Sequence, residues 1–376
     1  MKIGILTIFG GSNYGNKLQN YALQKCLTDN GHEVETIRYT LTFPKKTKTK
    51  AEIIKLAFKK YGSNGFFNML AGFSQAASAK LRSAALREKS GKRSEEFRRF
   101  EKEYIIATEK RFDSPSELKE CNDMFDCAVV GSDQVWNPYW QGSRDEFFLS
   151  FMKQEKRIAY APSIGVSSIP DDQTERYTAL LNGFCKLSCR EDEGAKLIES
   201  LTKKSCAHVV DPVFLLDRED WQRLEKGSEK NYVMTYFLGL MPASVKKKIN
   251  KYAKEKNLKV IDVFNPKDVN SKFASVEEFL YYIHHADTVF TDSFHGCALS
   301  VIFETPFVVI DRSSINSKQK MSSRINSLTK KLCIPDRSIN NLNSGDYADR
   351  SIFEKSRTIL SDWKKMSLDF LTGQIR

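Results

Sequence analysis

The segment TDSFHG, residues 291–296, combines residue types that are suited to acid–base chemistry. A short apolar strand pattern ends at Asp292, and Ser293 can cap the helix that follows, which places His295 in its first turn. An imidazole titrates near neutral pH, and the N–H groups of a helix N-terminus attract a phosphate or a carboxylate. We expect His295 to face a cleft with Asp292 orienting its ring. The alternative is a structural histidine.

A second polar cluster follows an apolar segment in CAVVGSDQVWNPYW, residues 127–140. Carboxylate, amide and aromatic groups in one loop suit sugar recognition, because hydroxyls need hydrogen-bond partners and a sugar ring packs on an aromatic face. The alternative is an ordinary capped turn around a buried tryptophan. The candidate contacts, with Asp133 also a candidate base, are Ser132, Asp133, Gln134, Trp136 and Asn137.

Two arginines are candidate anion contacts. Arg190 stands in KLSCREDEG where a strand pattern passes into a helix, and a guanidinium there can hold an anion with two hydrogen bonds. A salt bridge to Glu191 or Glu193 is the alternative. Arg324 lies near the start of a later helix, in KQKMSSRI, and is the weaker of the two.

A turn rich in glycine and asparagine, Gly10–Asn16, joins the first strand to the first helix. Ligands of open α/β sheets bind beyond the carboxyl ends of the strands, and glycine lets the backbone approach them closely. The turn is not a dinucleotide-binding GxGxxG motif, and a simple change of chain direction is the alternative. We expect Gly15 and Asn16 to form one wall of the cleft.

These candidates stand where strands give way to helices, so the alternation of elements decides their placement. Short apolar strands alternate with helical patterns, which predicts an α/β fold with two Rossmann-like domains of parallel sheet and a helical insertion in the first. Strands are predicted near residues 3–9, 33–39, 127–131, 157–161, 186–189, 208–210, 232–239, 259–264, 288–292 and 306–310. The predicted domains are 1–220, with the insertion at about 44–111, then 221–345, and a C-terminal helix in 346–376 that packs back on the first domain.

The composition is typical of a globular protein with a packed core. The 376 residues are 41% apolar and 28% charged, which favours a packed core over disorder. No apolar run is long enough to span a bilayer, and the segment IGILTIF is a strand pattern rather than a signal peptide. The eight cysteines form no CxxC pair, which favours a reduced, cytoplasmic protein, and we predict neither a metal site nor a cofactor.

The positive charge is concentrated in one segment. The formal net charge is +12, and residues 44–111 hold 18 lysines and arginines against 7 glutamates. Apolar clusters at 53–58 and 66–73, with Phe97, Phe100 and Tyr104 at helical spacing, suit a helix on an anionic membrane face. An inserted helical hairpin that packs on its own domain is an equal alternative. Nucleic acid is a weaker one, because no binding module is recognisable.

The motifs GNKLQNYALQ, GSDQVWNP, SCRED, DPVFLL and TDSFHG, followed by SSRI, together resemble the polysaccharide pyruvyl transferase family over roughly residues 1–332. The resemblance implies a GT-B-like fold with the active site between two domains. It also implies transfer from phosphoenolpyruvate to a sugar as a pyruvate ketal. His295 matches the expected general acid and Arg190 the arginine expected to hold the donor. Ser293 stands where some members carry arginine, so Arg324, Ser293 and backbone N–H groups are the candidate substitutes.

The resemblance therefore implies a bacterial pyruvyltransferase of surface polysaccharide assembly. Its substrates would be phosphoenolpyruvate and a sugar acceptor, free or lipid-linked, and its basic insertion would hold it at the inner membrane face. One alternative is a nucleotide-sugar glycosyltransferase of the same fold. The other is a sugar- or anion-binding module without catalysis.

Overall fold

The computed structural model describes residues 1–41, 72–140, 144–311 and 322–375, with side chains outside 72–82 and 322–323. Its strands are β1 Lys2–Leu6, β2 Glu33–Tyr39, β3 Ala107–Phe112, β4 Cys127–Val130, β5 Arg157–Ala159, β6 Leu187–Cys189, β7 Cys206–His208, β8 Tyr232–Tyr236, β9 Lys259–Phe264, β10 Val289–Thr291 and β11 Phe307–Val309. Its α-helices are α1 Tyr14–Asp29, α2 Gly72–Tyr104, α3 Cys121–Met124, α4 Asp171–Asn182, α5 Asp192–Thr202, α6 Arg218–Gln222, α7 Ala243–Glu255, α8 Val276–His284, α9 Phe294–Phe303, α10 Ser322–Lys331 and α11 Glu354–Thr372. Within these ranges no helix is both long and apolar enough to span a membrane.

Two parallel sheets organise the described chain. The first has the order β3-β2-β1-β4-β5 and the second the order β11-β10-β8-β9, while β6 and β7 form a separate parallel pair. All their strand pairs are parallel, so the carboxyl ends within each sheet meet at one edge. The predicted α/β class with Rossmann-like parallel sheets is confirmed.

The two sheets share a continuous apolar core. Tyr14 at the start of α1 is fully buried, and its ring stacks on Phe279 of α8 with 4.0 Å between centroids. Its hydroxyl donates to the carbonyl oxygen of Ala274 at 2.6 Å. This contact fixes the amino end of α1 against the second sheet's helices, and so sets the geometry of the space between them.

Helix α2 also bridges the two parts of the molecule. Phe97 and Phe100 are buried in the shared core. Arg99 pairs with Glu277 of α8 at 2.6 Å, and Lys89 donates to the carbonyl oxygen of Val269 at 2.7 Å. Of the two equal alternatives for this segment, packing within the molecule therefore holds for Phe97 and Phe100, which do not face a membrane. The apolar clusters at 53–58 and 66–71 lie outside the described residues.

The last helix, α11, packs beside the segment that follows β7. The indole N–H of Trp363 donates to the carbonyl oxygen of His208 at 2.8 Å, and the Ser367 hydroxyl accepts from the N–H of Val210 at 3.0 Å. Lys364 pairs with Asp217 at 2.6 Å. The chain thus returns to residues 208–217, although the exact domain limits stay a prediction.

Candidate active site

A cleft of about 780 Å³ opens where the carboxyl ends of the two main sheets converge. Its walls come from the segment after β1, the ends of β2 and β3, the loop after β4, and the beginnings of α9 and α10. Convergence of strand ends and a helix N-terminus is the usual location of a ligand site in an open α/β fold. The cleft is therefore the candidate active site.

The glycine turn after β1 forms part of this wall. Gly10 and Gly11 have φ angles of +83° and +70°, a conformation that side chains disfavour. The N–H of Gly10 donates to Glu101 of α2 at 3.0 Å, and the carbonyl oxygen of Gly10 accepts from Lys17 at 3.0 Å. Lys17 is buried and also pairs with Glu101. Burial lowers the pKa of Lys17. The turn is thus held by a buried ion pair, and Asn16 lines the cleft beside it, whereas Gly15, which was also expected in this wall, does not.

His295 lies at the lip of the cleft in the first turn of α9. The Ser293 hydroxyl accepts from the N–H of Gly296 at 3.3 Å, so the predicted helix cap is present. The imidazole is 12% exposed, and its Nε2 lies 3.5 Å from Oδ2 of Asp211. Gly15 lies against the other ring nitrogen, since a Cβ placed on Gly15 would fall 2.1 Å from Nδ1. The ring is therefore packed against α1 on one side and faces a carboxylate on the other, while its Nε2 makes no hydrogen bond to the described residues.

Asp211 is the functional candidate that the sequence reasoning missed. Its side chain is buried, and its Oδ2 accepts from Arg190 at 2.6 Å and from the Ser132 hydroxyl at 2.8 Å, while Oδ1 accepts from the N–H of Val213 at 3.1 Å. Burial acts to raise its pKa, but His295 and Arg190 outweigh burial and hold the pKa of Asp211 well below its usual range. Asp211 is therefore a fixed anion behind the imidazole. The motif DPVFLL contained this residue, but only the fold brings it to His295.

Arg190 lies behind the cleft wall rather than in it. Its guanidinium is 2% exposed, pairs with Asp211 and lies 4.3 Å from the ring centroid of Phe294. Phe294 lines the cleft and Arg190 does not. The resemblance implied that Arg190 contacts the donor directly, and this expectation is therefore wrong. The alternative of a salt bridge to Glu191 is present at 3.7 Å, but the closer carboxylate is that of Asp211, at 2.6 Å.

Asp133, Gln134 and Arg324 meet in the cleft with His295, as the sequence predicted. Asp133 Oδ1 accepts from the N–H of Gln134 at 2.8 Å, whereas its Oδ2 is enclosed and has no hydrogen-bond partner among the described residues. Burial raises the pKa of Asp133. With the Gln134 amide oxygen facing Arg324, that oxygen accepts from both terminal nitrogens at 2.7 and 2.6 Å. The cleft thus holds a carboxylate, an imidazole and a guanidinium.

The aromatic part of the loop prediction is wrong for Trp136. Its indole is fully buried, stacks on Phe148 at 5.2 Å between centroids, and donates from Nε1 to the carbonyl oxygen of Phe147 at 2.9 Å. The tryptophan that lines the cleft is Trp140, four residues later. Trp136 packs in the apolar core behind the loop, whereas Trp140 lies at the cleft.

Ser132 and Asn137 support the loop from within. Ser132 is buried and holds Asp211, as described above. Asn137 is also buried, and its Oδ1 accepts from the N–H of Tyr139 at 2.9 Å. Neither lines the cleft, so their predicted contact with a substrate is corrected to a role in holding the loop.

Asp292 does not orient the imidazole. Its two carboxylate oxygens accept from the backbone N–H groups of Leu238 and Gly239, at 2.7 and 2.8 Å. It therefore ties the end of β10 to the loop after β8, which also lines the cleft at Leu238. The carboxylate beside His295 is Asp211, which is distant in sequence.

The first sheet contributes a cationic wall that sequence reasoning did not assign to the site. Arg38 and Arg111 lie at the ends of β2 and β3, and Arg98 lies on α2; all three line the cleft. Two of them, Arg98 and Arg111, fall in the basic segment that was predicted to face a membrane. The surplus of positive charge in the sequence indicated only that this segment attracts anions. The fold places part of that charge in the cleft.

The family described as Polysaccharide pyruvyl transferase matches residues 13–314. No curated protein sequence matches the chain.

Several solved structures are similar in fold. Anabaena HepE, in complex with UDP and glucose, is 8% identical with a TM-score of 0.46, over 99% of this chain and 100% of that one. S. aureus MnaA with UDP is 10% identical with a TM-score of 0.46, over 100% and 95% of the two chains. A UDP-GlcNAc 2-epimerase from Neisseria meningitidis is 11% identical with a TM-score of 0.44, over 99% and 100%. At these identities the similarity concerns the fold and not the reaction.

Proposed function

The chain belongs to the polysaccharide pyruvyl transferase family, and on that premise we propose that it moves a pyruvyl group from phosphoenolpyruvate to two hydroxyls of one sugar. The product would be a pyruvate ketal in bacterial surface polysaccharide assembly. The observation that carries the proposal is the position of His295, at the cleft lip and 3.5 Å from the buried carboxylate of Asp211. An imidazole at the lip of a cleft can transfer a proton to a bound substrate, which is the role of a general acid.

The reaction begins with a proton. His295 transfers it to the methylene carbon of phosphoenolpyruvate, which becomes a methyl group and leaves the central carbon electrophilic. One sugar hydroxyl adds to that carbon and loses its proton. The C–O bond to phosphate then breaks, and the second hydroxyl adds and loses its proton. Of the two hydroxyl protons, one replaces the proton given by His295 and the other leaves on hydrogen phosphate, so atoms and charge balance.

The donor is an anion at both ends. The part of the cleft formed by the beginnings of α9 and α10, which we call the second wall, offers matching groups. Arg324 presents a guanidinium there, and the N-terminus of α9 presents backbone N–H groups beside Ser293. Guanidinium groups and helix N-termini both bind phosphate and carboxylate. In this proposal they replace the arginine that some members carry two residues before the histidine.

Asp133 is the proposed base for the sugar hydroxyls. Its Oδ2 lacks a hydrogen-bond partner among the described residues and lies in the cleft with His295. Burial raises its pKa, so its carboxylate is a stronger base than an exposed aspartate. A hydroxyl at this position would supply the missing hydrogen bond before it gives up its proton.

Product analysis distinguishes this reaction from a glycosyl transfer in the same fold. The protein is incubated with a bacterial glycan acceptor and either phosphoenolpyruvate or a set of nucleotide sugars. Release of phosphate with a gain of a pyruvate ketal supports the proposal. Release of nucleotide supports the glycosyltransferase, and binding without either product supports a non-catalytic module.

A cytoplasmic location at an anionic membrane, with a lipid-linked acceptor, is the remaining part of the proposal. It depends on the basic segment before α2, which holds Lys45, Lys46, Lys48 and Lys50. Cations attract the anionic leaflet at about 1 kcal/mol per residue close to its surface. Co-sedimentation with anionic vesicles tests it directly.

A further inference from the structure

The first-sheet wall of the cleft presents two arginines side by side. Arg38 of β2 and Arg111 of β3 are direct partners in the register of these parallel strands, one residue from the end of each strand. Both line the cleft, together with Arg98 of α2. We call Arg38, Arg98 and Arg111 the arginine wall.

This arrangement does not serve the stability of the sheet. Like charges directly opposite each other on neighbouring strands repel and destabilise the pair. Arg111 is partly compensated by Asp113 at 3.4 Å, where both side chains are more than half exposed. Across the described parts of the chain, the guanidinium groups of Arg38 and Arg98 make no ion pair. The wall is therefore a site of uncompensated positive charge.

Arg38 also has an orphaned donor. Its Nε is enclosed by protein and has no hydrogen-bond partner among the described residues. A buried donor without a partner is costly, so stability does not explain an arginine at this position. Arg38 lines the cleft, and the charge of the arginine wall points to an oxyanion there.

The wall belongs to other elements than the groups proposed for the donor. His295 and Arg324 belong to α9 and α10, which follow strands of the second sheet, whereas the arginine wall belongs to β2, β3 and α2. Phosphoenolpyruvate seated on the second wall would leave these arginines for the other substrate. Guanidinium groups on neighbouring elements can each engage a phosphate with two hydrogen bonds.

We propose that the arginine wall binds a diphosphate group carried by the sugar acceptor. The proposal rests on the proposed function for the identity of the second substrate, but the anion site itself can be tested without catalysis. The same chemistry is offered by a nucleotide diphosphate sugar and by a lipid diphosphate sugar, which the experiment separates.

The first test is equilibrium binding of inorganic pyrophosphate to the full chain, measured by calorimetry with phosphoenolpyruvate at saturation. We expect one site, and an increase in Kd of about tenfold or more in Arg38→Gln and in Arg98→Gln, as expected for a charged hydrogen bond. Arg223→Gln, an exposed arginine outside the cleft, is the matched control and should bind as the wild type does. Unchanged binding in both cleft variants, or loss of binding when phosphoenolpyruvate is present, would overturn the inference.

The second test compares acceptors that differ only in the diphosphate. The kcat/KM ratio of diphosphate acceptor to neutral acceptor should be high in the wild type and fall in Arg38→Gln; an equal ratio in both proteins contradicts the inference. Tighter binding of UDP than of pyrophosphate indicates the nucleotide form, and tighter binding of a short polyprenyl diphosphate indicates the lipid form. If pyrophosphate binds as expected but no acceptor yields phosphate from phosphoenolpyruvate, the anion site stands and the proposed reaction fails.

Discussion

The two walls of the cleft hold charge in opposite ways. At the second wall, the buried ion pair of Arg190 and Asp211 lies behind His295, and we call these three residues the enclosed cluster. On the first wall, Arg98 and Arg111 are exposed, and Arg38 and Arg111 repel each other across neighbouring strands. Charges fixed in a water-poor environment interact strongly and need no reorganisation, which suits catalysis. Solvated cations attract and hold an anion, which suits binding.

Removal of the imidazole should have the largest effect. In His295→Gln the general acid is lost, and we expect kcat for pyruvyl transfer to fall by about two to four orders of magnitude. His285→Gln is the control, because His285 is paired with Glu225 and does not line the cleft. Turnover of His295→Gln at the wild-type rate would remove the acid from the account.

Substitutions in the two walls should also differ in their effect on the free energy of unfolding. Arg190→Gln leaves Asp211 buried without its closest cation, so we expect a loss of about 3–5 kcal/mol in the free energy of unfolding. Arg38→Gln removes an uncompensated charge and should change it by less than about 0.5 kcal/mol. Denaturant unfolding of the two variants measures this contrast, and equal losses would contradict it.

The fit between α1 and the imidazole gives a third prediction. A methyl group in Gly15→Ala would collide with the His295 ring, and a displacement of about 1 Å costs about a hundredfold in kcat. Gly91→Ala, on α2, meets no atom within 4 Å and serves as the control. A Gly15→Ala enzyme with normal kcat would show that the position of the ring does not limit the reaction.

The sequence located the second wall better than the first. The segment TDSFHG contains a strand end, a helix cap and a histidine within six residues. This local pattern was enough to predict that His295 lies at the cleft. Asp211 could not be found in the same way, because its contact with His295 spans 84 positions of sequence and depends on how two sheets pack. Trp136 and Trp140 had the same local signal, and only packing on Phe148 decided which was buried.

Strand β3 explains why the first wall was missed. Its sequence ATEKRF has burial only at its second and last positions, so it lacks the apolar run by which the other strands were recognised. Without β3, the register between Arg38 and Arg111 could not be anticipated. The basic residues of α2 were then counted as surface charge, although several of them pair across the molecule.

Acid should weaken the enclosed cluster. The pKa of Asp211 in the folded protein lies well below its usual range, so its contribution to stability is complete above the unfolded pKa of about 3.9 and is lost as pH falls through the folded pKa. Asp211→Asn should lack this part of the acid dependence. Denaturant unfolding between about pH 5 and pH 2 measures it, and parallel curves for both proteins would contradict the assignment.

Vesicle binding concerns charge outside both walls. Replacing Lys45, Lys46, Lys48 and Lys50 by glutamine should weaken binding to anionic vesicles by about 1 kcal/mol per residue that reaches the surface. The cleft arginines remain, so pyrophosphate binding should persist in this variant. Equal vesicle binding before and after the change would exclude this segment as the membrane contact.

The central claim is that His295 transfers a proton to the methylene carbon of phosphoenolpyruvate. It is tested most directly by running the reaction in D2O and analysing the product by mass spectrometry and NMR. The account predicts a pyruvate ketal whose methyl group carries a single deuterium, with equimolar phosphate released. A product without deuterium in that methyl group, or consumption of a nucleotide sugar in place of phosphoenolpyruvate, would contradict it.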